Sequence, residues 1–494
     1  MKRLFLALAV GIAVSSLAAD KDKKKDKAPT LEEALAEADQ KAASGDLDEA
    51  VRLLTDVAKE DATGEASLHL GRALEAKHEV DLAIDAYNEA ATKLQGPKKG
   101  EAQGRQAWLQ DLRGLAESAV TAEAAVATDP QGAWPNAALA KARARQGKGA
   151  EALELARKSE AAGPISKVAL GAAQEASGDL AAAEASYRDA LTAPEAEVAA
   201  DIGLARVLRK TGRAGEAEPL LKKALSLAPG AISAYKESAR VKIALGRPAE
   251  ARGDAATAAA LAEGDVEAER LLQEVTVAEA LADLAKGQSA LAVESLTALR
   301  DQHPDFAPAR VGLAKAFVAQ RQADAALAEL NKALELEPAD AEANYEAGFV
   351  NHMLKGDAAA ALPFYRKAVV AEPGNTTYRT NLGAALAGAK RYDEAVAELE
   401  KVTSAPGYDR PEAWIYLGQA HLGAKRYKEA IPPLQKALAL APDNDQINAF
   451  LGWAYFGLKD AENFKKYAGR AKELGHKEPT LLQYLARIQG GEAI

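Results

Sequence analysis

The chain has 494 residues, a formal net charge of -10 and no cysteine. The absence of cysteine excludes disulfides, thiol nucleophiles and cysteine metal ligands. The acidic balance argues against nucleic acid as a partner, because phosphate binding needs a basic surface. Hydrophobic residues make up 48% of the chain and aromatic residues only 5%. Alanine and leucine therefore carry most of the apolar content, which favours closely packed helices over sheets.

The N-terminal residues have the pattern of an export signal. Residues 1–18 combine a basic start, an apolar run over 4–14 and a small-x-small cleavage site over 16–18. The apolar run is well short of the roughly 20 residues that span a bilayer, which favours a cleaved signal peptide over an uncleaved membrane anchor. A charged linker of Lys and Asp follows over 19–30. We therefore expect an exported protein, periplasmic or associated with the bacterial cell envelope.

From Leu31 onwards the chain repeats with a period of about 34 residues, and the clearest copy runs from Pro411 to Asn444. Residues three and four apart line one face of each of two predicted helices. Small residues on these faces allow the helices to approach closely. One such pair cannot bury its apolar face alone, so the copies must stack. The residues that define the copy are Trp414, Leu417, Gly418, Ala430, Leu434, Ala437 and Pro442.

This spacing resembles the tetratricopeptide repeat, although His421 stands where that pattern usually has tyrosine. The resemblance implies an all-α fold, a right-handed α-solenoid (superhelix) of about 13 helix-turn-helix repeats with a C-terminal capping helix. We place the repeat starts near Leu31, Gly64, Lys99, Ala133, Pro164, Val198, Ile232, Gln273, Ala307, Ala341, Thr376, Pro411 and Asp445. The copies near Lys99 and Ala133 match the pattern poorly.

The period is interrupted once by about seven extra residues. These residues would form either a longer helix or a discontinuity of the superhelix, and in both cases they divide the array into two segments. We place an irregular junction at 266–272 between an N-terminal array over 31–265 and a C-terminal array over 273–478. Residues 479–494 form one further amphipathic helix and a tail. The expected role of that helix is to cover the last apolar face of the array.

Two short patterns mark the second helix of several pairs. Gly-Asp at 45–46, 178–179 and 356–357 falls in the turn between the paired helices, where Asp is expected to cap the second helix. Pro219, Pro363 and Pro432 each follow by two residues the small residue that opens the second helix. Proline is tolerated there if the helix has only just begun.

No pattern in the sequence indicates catalysis. The six histidines are dispersed, and neither a zinc-protease motif nor a phosphate-binding loop occurs. Abundant Asp and Glu are typical of solvated helix surfaces. We expect no enzyme activity, no metal site and no cofactor.

Since no catalytic pattern is present, the expected function is the binding of another protein at the surface of the helix array. In tetratricopeptide repeats the first helices line a concave groove that holds a peptide or a partner helix. The resemblance assigns these groove positions in the C-terminal copies: Tyr345, Phe349, Thr380, Asn381, Ile415, Tyr416, Gln419, Phe450, Trp453 and Phe456. We hypothesise that they bind an apolar or aromatic segment, with Asn381 and Gln419 hydrogen-bonding its backbone.

An alternative explains three of these aromatic residues without a ligand. Phe450, Trp453 and Phe456 would pack against Tyr484 and Leu485 of the last helix, the commoner outcome for aromatics at helical spacing. A related family variant clamps acidic chaperone C-termini with Lys at the fifth place and Asn at the ninth. That variant is not expected, because no repeat has Asn at the ninth place.

These observations predict a non-catalytic protein-protein interaction scaffold of the bacterial cell envelope. Its expected partners are one or more envelope proteins, not nucleic acid. No transmembrane span is expected, and any membrane association would be peripheral and through partners. The alternatives are a periplasmic chaperone that holds unassembled clients and a regulatory subunit of an envelope assembly or export enzyme. A scaffold should have one or two stoichiometric partners, whereas a chaperone should suppress aggregation of unrelated clients.

Overall fold

The computed structural model describes residues 30–262 and 264–493, and the regular secondary structure in these residues is helical. The predicted signal peptide over 1–18, and the linker over 19–30 except its last residue, lie outside the described residues. No helix in the described part is long and apolar enough to cross a membrane. Thr30 caps the first helix, because its hydroxyl accepts a hydrogen bond from the Glu33 amide and its own amide donates to the Glu33 carboxylate.

The chain divides into two compact units. Unit 1 comprises Met1–Gly203 and Ser226–Gly230. A 3-10 turn, Glu160–Ala162, lies between its eighth and ninth helices. Its helices are α1 (Leu31–Ala43), α2 (Leu47–Glu60), α3 (Glu65–Ala76), α4 (Val80–Lys93), α5 (Gly96–Leu112), α6 (Ser118–Thr128), α7 (Ala133–Arg145), α8 (Gly149–Lys158), α9 (Pro164–Ala176) and α10 (Leu180–Ala190).

Unit 2 comprises Leu204–Leu225 and Ala231–Ile494. The division falls within α11 (Pro194–Lys210) and near the end of α12 (Ala214–Leu227). The following helices are α13 (Ile232–Ala244), α14 (Pro248–Leu261), α15 (Val266–Ala285), α16 (Ser289–Gln302), α17 (Ala307–Ala319), α18 (Ala323–Leu336) and α19 (Ala341–Phe349). A π-helical turn, Val350–Leu354, continues α19. The last helices are α20 (Ala358–Ala371), α21 (Thr376–Gly388), α22 (Tyr392–Thr403), α23 (Pro411–Gly423), α24 (Tyr427–Leu440), α25 (Asp445–Gly457), α26 (Ala461–Glu473) and α27 (Pro479–Gln489).

Within each unit the helices form consecutive pairs. In the pairs α1–α10 and α13–α26, each odd-numbered helix packs on the even-numbered helix that follows it, and that helix packs on the next odd-numbered one. The last helix, α27, packs on α25 and α26. Nine predicted repeat starts coincide with the first residue of an odd-numbered helix, and Gly64 is the N-cap of α3. The predicted all-α array of helix pairs with a terminal helix is confirmed.

Three first helices begin earlier than the sequence predicts, among them α15. The stretch 266–272, predicted as an irregular junction, forms the first part of this 20-residue helix. Asp265 caps it by accepting hydrogen bonds from two backbone amides. Ala268 and Leu271 are buried, so the extra residues lengthen the helix and gain core contacts instead of interrupting it. The two compact units divide after Gly203 and not at 266–272.

Glycines in the first helices make room for large side chains of the second helices. A Cβ added to Gly71 would lie 2.5 Å from Cδ1 of Tyr87, and one added to Gly418 would overlap the Leu434 side chain. Tyr87 and Leu434 are fully buried. The close approach predicted at Gly418 is therefore present, and a larger residue there would force the helices apart.

The Gly-Asp pairs lie in the predicted turns between paired helices, and two of the three aspartates act as caps. Gly45, Gly178 and Gly356 have φ values of 85°, 84° and 72°, a left-handed region open to glycine. Asp179 and Asp357 each accept a hydrogen bond from a backbone amide of the second helix. Asp46 makes no such bond, and its carboxylate lies 3.6 Å from Nζ of Lys41 instead.

The helix prolines lie further inside their helices than predicted. Pro219, Pro363 and Pro432 follow five earlier residues of α12, α20 and α24, so they fall in the second turn. All three are exposed. Water can therefore bond the backbone carbonyl that each proline leaves without a helical donor, which explains why the helices continue.

The poorly matching repeats formed by α5–α8 are held together by buried charges. Asp111 on α5 accepts a hydrogen bond of 2.5 Å from Nη1 of Arg145 and lies 2.7 Å from Nζ of Lys141, both on α7. Burial alone would raise the pKa of Asp111, but the two cations hold that pKa well below its ordinary value. On the same helices the Arg105 guanidinium lies 3.8 Å over the Trp134 ring.

Candidate binding groove

A groove with a volume of about 800 Å³ lies in unit 2, bordered by the π-helical turn and by α21–α25. Its walls are mainly apolar and aromatic, with few polar groups, which is typical of ligand-binding clefts. We call it the aromatic groove. Its lining residues are His352, Met353, Ala384, Ala387, Gly388, Tyr392, Tyr416, Gln419, Leu422, Gly423, Tyr427, Phe450, Trp453, Phe456 and Gly457.

Five of the ten predicted groove residues line the aromatic groove. Tyr416 and Gln419 come from α23, and Phe450, Trp453 and Phe456 come from α25. Residues three apart on a helix share one face, so each helix presents its set in one direction. The structure thus brings these five together, and their role in binding remains a prediction.

Asn381 lies in a smaller neighbouring pocket of about 190 Å³, which Thr380 and Tyr416 also line. Its side-chain nitrogen donates a hydrogen bond of 3.0 Å to the Thr377 carbonyl of its own helix. One amide donor is therefore already used within α21. Tyr416 lines both the pocket and the aromatic groove.

The other three predicted residues pack within the protein. Tyr345 stacks on Tyr378 with ring centroids 4.8 Å apart, and Phe349 lies 6.3 Å from Tyr345. Ile415 packs against the core between α24 and α25, which includes Leu434. None of the three is among the residues that line the aromatic groove.

The alternative of packing against the last helix holds for two of the three α25 aromatics. The rings of Trp453 and Phe456 lie 6.1 Å and 4.7 Å from the Tyr484 ring of α27. Phe450 packs instead against the core formed by α24 and α25. Trp453 and Phe456 therefore have a structural role and also form a wall of the aromatic groove.

Two tyrosines that line the aromatic groove, Tyr392 and Tyr427, were not predicted from the sequence. Each opens the second helix of its pair and lies against the last residue of the next first helix, Gly423 or Gly457. A Cβ at either glycine would overlap the tyrosine ring. The available signal was the repeated Lys-Arg-Tyr at 390–392 and 425–427, followed in each case by a glycine at the end of the next first helix.

His352 and Met353 were also missed, and they reach the groove through the π-helical turn. Ala361 follows Gly348 by thirteen positions, whereas Ala395 follows Gly383 by twelve. The extra residue is accommodated by the wider turn at Val350–Leu354. Such bulges are frequent at functional sites. Met353 is 55% exposed, and the one-residue excess in the spacing was the signal that could have found it.

The same turn leaves a buried tyrosine hydroxyl without a hydrogen bond. In unit 1, the Tyr87 hydroxyl donates to Glu75 at 2.5 Å, and Glu75 follows Gly71 by four positions. In unit 2, the residue four positions after Gly348 is His352. The Tyr365 hydroxyl and Nδ1 of His352 have no hydrogen-bond partner among the described residues. Burial lowers the pKa of His352 and raises the pKa of Tyr365, which favours the neutral form of both.

Models of one repeat family match four segments of the chain. The model described as "Tetratricopeptide repeat" matches residues 35–96, 168–232 and 380–445, and that described as "TPR repeat" matches 314–355. Each segment begins within a predicted helix pair, in agreement with the packing described above. The chain is a tetratricopeptide repeat (TPR) protein.

One curated protein resembles part of this TPR chain. It is the TPR repeat-containing thioredoxin TTL4 of Arabidopsis thaliana, 44% identical over 75 residues. The match covers 15% of this chain and 11% of that protein, so the likeness is confined to a short part of the relative.

Solved structures also resemble the TPR chain. The APC/C hetero-tetramer Cut9-Hcn1 has a TM-score of 0.45 and 15% identity, covering 92% of this chain and 89% of that one. YrrB, described as a TPR protein with an unusual peptide-binding site, has a TM-score of 0.34 and 21% identity. That match covers 39% of this chain and 98% of YrrB.

Much of the aromatic groove lies in matched TPR segments. His352 and Met353 fall in 314–355, and the lining residues from Ala384 to Tyr427 fall in 380–445. The α25 aromatics lie beyond these segments. Among the residues that the structure describes, no group of three or more His, Asp or Glu side chains is placed to hold a metal ion.

Proposed function

We propose that this TPR protein is a non-catalytic scaffold that binds partner polypeptides in the aromatic groove. The observation that carries the proposal is the groove itself: six aromatic side chains from four consecutive helices face one cleft, and Gln419 and His352 supply polar groups beside them. Aromatic side chains bury a large area with few rotatable bonds, so they suit anchoring of an apolar segment.

The groove walls are already ordered by contacts inside the protein, which favours tight binding. Trp453 and Phe456 are held by α27, and Tyr392 and Tyr427 lie on the backbone of the glycines that end α23 and α25. Side chains fixed before binding lose little conformational freedom when a partner arrives. An opening of this volume admits several side chains of a partner segment.

We also propose that the protein works in the bacterial cell envelope with one or more envelope proteins as partners. The support is the signal-like N-terminal sequence described above. N-terminal sequencing of the protein purified from a bacterial host should give a chain that starts at Ala19. A chain that retains the apolar run and stays in the cytoplasmic fraction would contradict export.

Site-specific photocrosslinking tests the binding proposal. A photoreactive amino acid at Met353, which is 55% exposed at the groove, should capture a partner. The matched control is Val370, which is 79% exposed and is not among the lining residues. Capture of one or two species at Met353 alone, each at stoichiometric yield, supports a scaffold. A broad set of unrelated clients would favour a chaperone, and equal capture at both positions would contradict a groove site.

A further inference from the structure

Three consecutive turns beside the aromatic groove carry a lysine in an unfavourable backbone conformation. Lys390, Lys425 and Lys459 have φ values of 61°, 61° and 60°, a region disfavoured for residues with a Cβ. We call them the turn lysines. Two other pairs place His78 and Arg321 in this conformation, both with φ 59°. The turns of the remaining eight pairs place glycine there: Gly45, Gly114, Gly147, Gly178, Gly212, Gly246, Gly287 and Gly356.

The turn lysines are next to groove residues along the chain. Lys390 lies between Gly388 and Tyr392, both of which line the aromatic groove. Lys425 lies between Gly423 and Tyr427 in the same way, and Lys459 follows Gly457 by two positions. Lysine thus replaces the easier glycine in the three successive turns that border the groove.

All three turn lysines are exposed to solvent, and their ammonium groups are not engaged. Within the described part of the chain, none of them forms an ion pair. Nearby carboxylates have other partners, since Asp393 pairs with Arg426 at 2.8 Å and Glu394 pairs with Arg391. The three unpaired lysines beside the groove therefore supply a positive charge that no ion pair within the described residues uses.

The carboxylates on the helices after these turns do not remove that charge. Asp460 accepts hydrogen bonds from the backbone and side chain of Asn463, so it caps α26. Glu429 and Glu462 are exposed and make no pair with the turn lysines. Carboxylates of a bound partner can therefore accept hydrogen bonds from the ammonium groups of the three turn lysines.

We propose that the turn lysines select an acidic polypeptide, whose apolar side chains enter the aromatic groove and whose Asp or Glu side chains meet the three lysines. The inference rests on the proposed function, that is, on the groove being a polypeptide-binding surface. Lysine suits this role because its flexible stem and three donors adapt to carboxylates at different positions.

The turn lysines should contribute only modestly to the binding free energy, and their contribution should depend on the salt concentration. Each exposed charge pair strengthens binding only slightly, so three together should change the affinity by about tenfold. The contribution should decline as ionic strength rises, because dissolved ions screen exposed charges. The apolar anchors should be insensitive to salt.

The test uses three synthetic peptides of equal length with the same Leu and Phe positions and with Glu, Gln or Lys between them. Binding to the full chain is measured by fluorescence anisotropy. The variant is Lys390→Gly/Lys425→Gly/Lys459→Gly, and glycine should fit the left-handed turns with no loss of stability. The control is Arg321→Gly, which removes a cation from an equivalent turn with φ 59° far along the chain from the groove.

The proposal predicts that the Glu peptide binds tightest and loses about tenfold in affinity in the triple variant. The Gln peptide should bind both proteins equally, and Arg321→Gly should change nothing. Equal binding of all three peptides, unchanged in the triple variant, would overturn the selection by lysines while leaving the groove as a binding site. Failure of every peptide would contradict the proposed function. Preferred binding of an oligothymidine that the triple variant loses would assign the rim to nucleic acid and overturn the proposal.

Discussion

The indole nitrogen of Trp453 donates a hydrogen bond of 3.0 Å to Oε2 of Glu478, the residue before the terminal helix α27. The bond links a wall of the aromatic groove to the cap of the array. Trp453 also lies edge-on to Phe456, with ring centroids 5.6 Å apart. The C-terminal helix therefore orders the groove as well as covering the last apolar face.

Trp453→Phe should test the hydrogen bond to Glu478, because it keeps an aromatic side chain in the wall of the aromatic groove. The smaller phenyl ring keeps an aromatic contact with Phe456 and Tyr484 while the hydrogen bond is lost, so we expect a loss of at least about 0.5–1.5 kcal/mol in the free energy of unfolding of the C-terminal helices. Hydrogen exchange of α25–α27 measures it. Glu478→Ala should cause a similar loss, and the double variant should lose no more than either single one. Additive losses would show that the bond does not link the two residues.

Gly418→Ala should destabilise the array, because the added Cβ would overlap the Leu434 side chain. We expect a loss of roughly 1–3 kcal/mol, as for other overpacked cores. The control is Gly253→Ala on α14, where no atom lies within 4 Å of the added Cβ. That exposed helical position should gain about 0.5–1 kcal/mol. Urea unfolding compares the two, and equal effects would contradict the close approach of α23 and α24.

Tyr87→Phe should lower the stability of the protein, whereas Tyr365→Phe should not. The Tyr87 hydroxyl donates to Glu75, so its removal should cost about 1 kcal/mol or more. The Tyr365 hydroxyl is buried and has no partner among the described residues, so its removal should be neutral or stabilising. Hydrogen exchange in α3–α4 and α19–α20 reads each site separately. A clear loss at Tyr365→Phe would show that its hydroxyl is bonded after all.

Asp111→Asn should destabilise α5–α8 most strongly near neutral pH. The pKa of Asp111 is lowered in the folded state by Lys141 and Arg145 against the opposing effect of burial. A lowered folded pKa contributes stability above the unfolded value of about 3.9, and this contribution is lost as the pH falls further. We expect a loss of roughly 3 kcal/mol for the variant near neutral pH.

The difference between Asp111→Asn and the natural protein should shrink as the pH falls below about 4. Hydrogen exchange of α5–α8 at several pH values measures it. Glu49→Gln removes a carboxylate from an exposed pair with Arg52 and should leave α5–α8 unchanged. A pH-independent loss for Asp111→Asn would contradict a charged Asp111.

The sequence predicts the helix pairs well because their signals are local. Small residues such as Gly418 and Ala430 recur at fixed offsets, because paired helices pack closely only where side chains are small. These residues therefore reveal where each repeat begins. The start of α15 was harder to predict, since residues 266–272 add to the period but are good helix formers. A count based on the period treats them as an insertion, whereas the chain extends the helix.

The groove was only partly predictable because its walls come from contacts between repeats. The resemblance to the repeat family assigns the groove positions of first helices such as α23 and α25, so Tyr416 and Gln419 could be predicted. Tyr392 and Tyr427 belong to second helices and reach the groove only over the glycines of the next repeat. The position of Met353 in the groove depends on the π-helical turn. The only sequence signal for that turn is the spacing of thirteen instead of twelve positions between Gly348 and Ala361.

The most direct test of the central claim is the affinity of the apolar peptide with Glu spacers for Met353→Glu and Val370→Glu. Both residues are exposed, at 55% and 79%, so both variants should fold with unchanged melting temperatures. Only Met353 lines the aromatic groove. We predict at least about a tenfold loss of affinity for Met353→Glu, because a charge would be placed against the apolar part of the segment, and no loss for Val370→Glu. Equal affinities for the two variants would contradict binding in the aromatic groove.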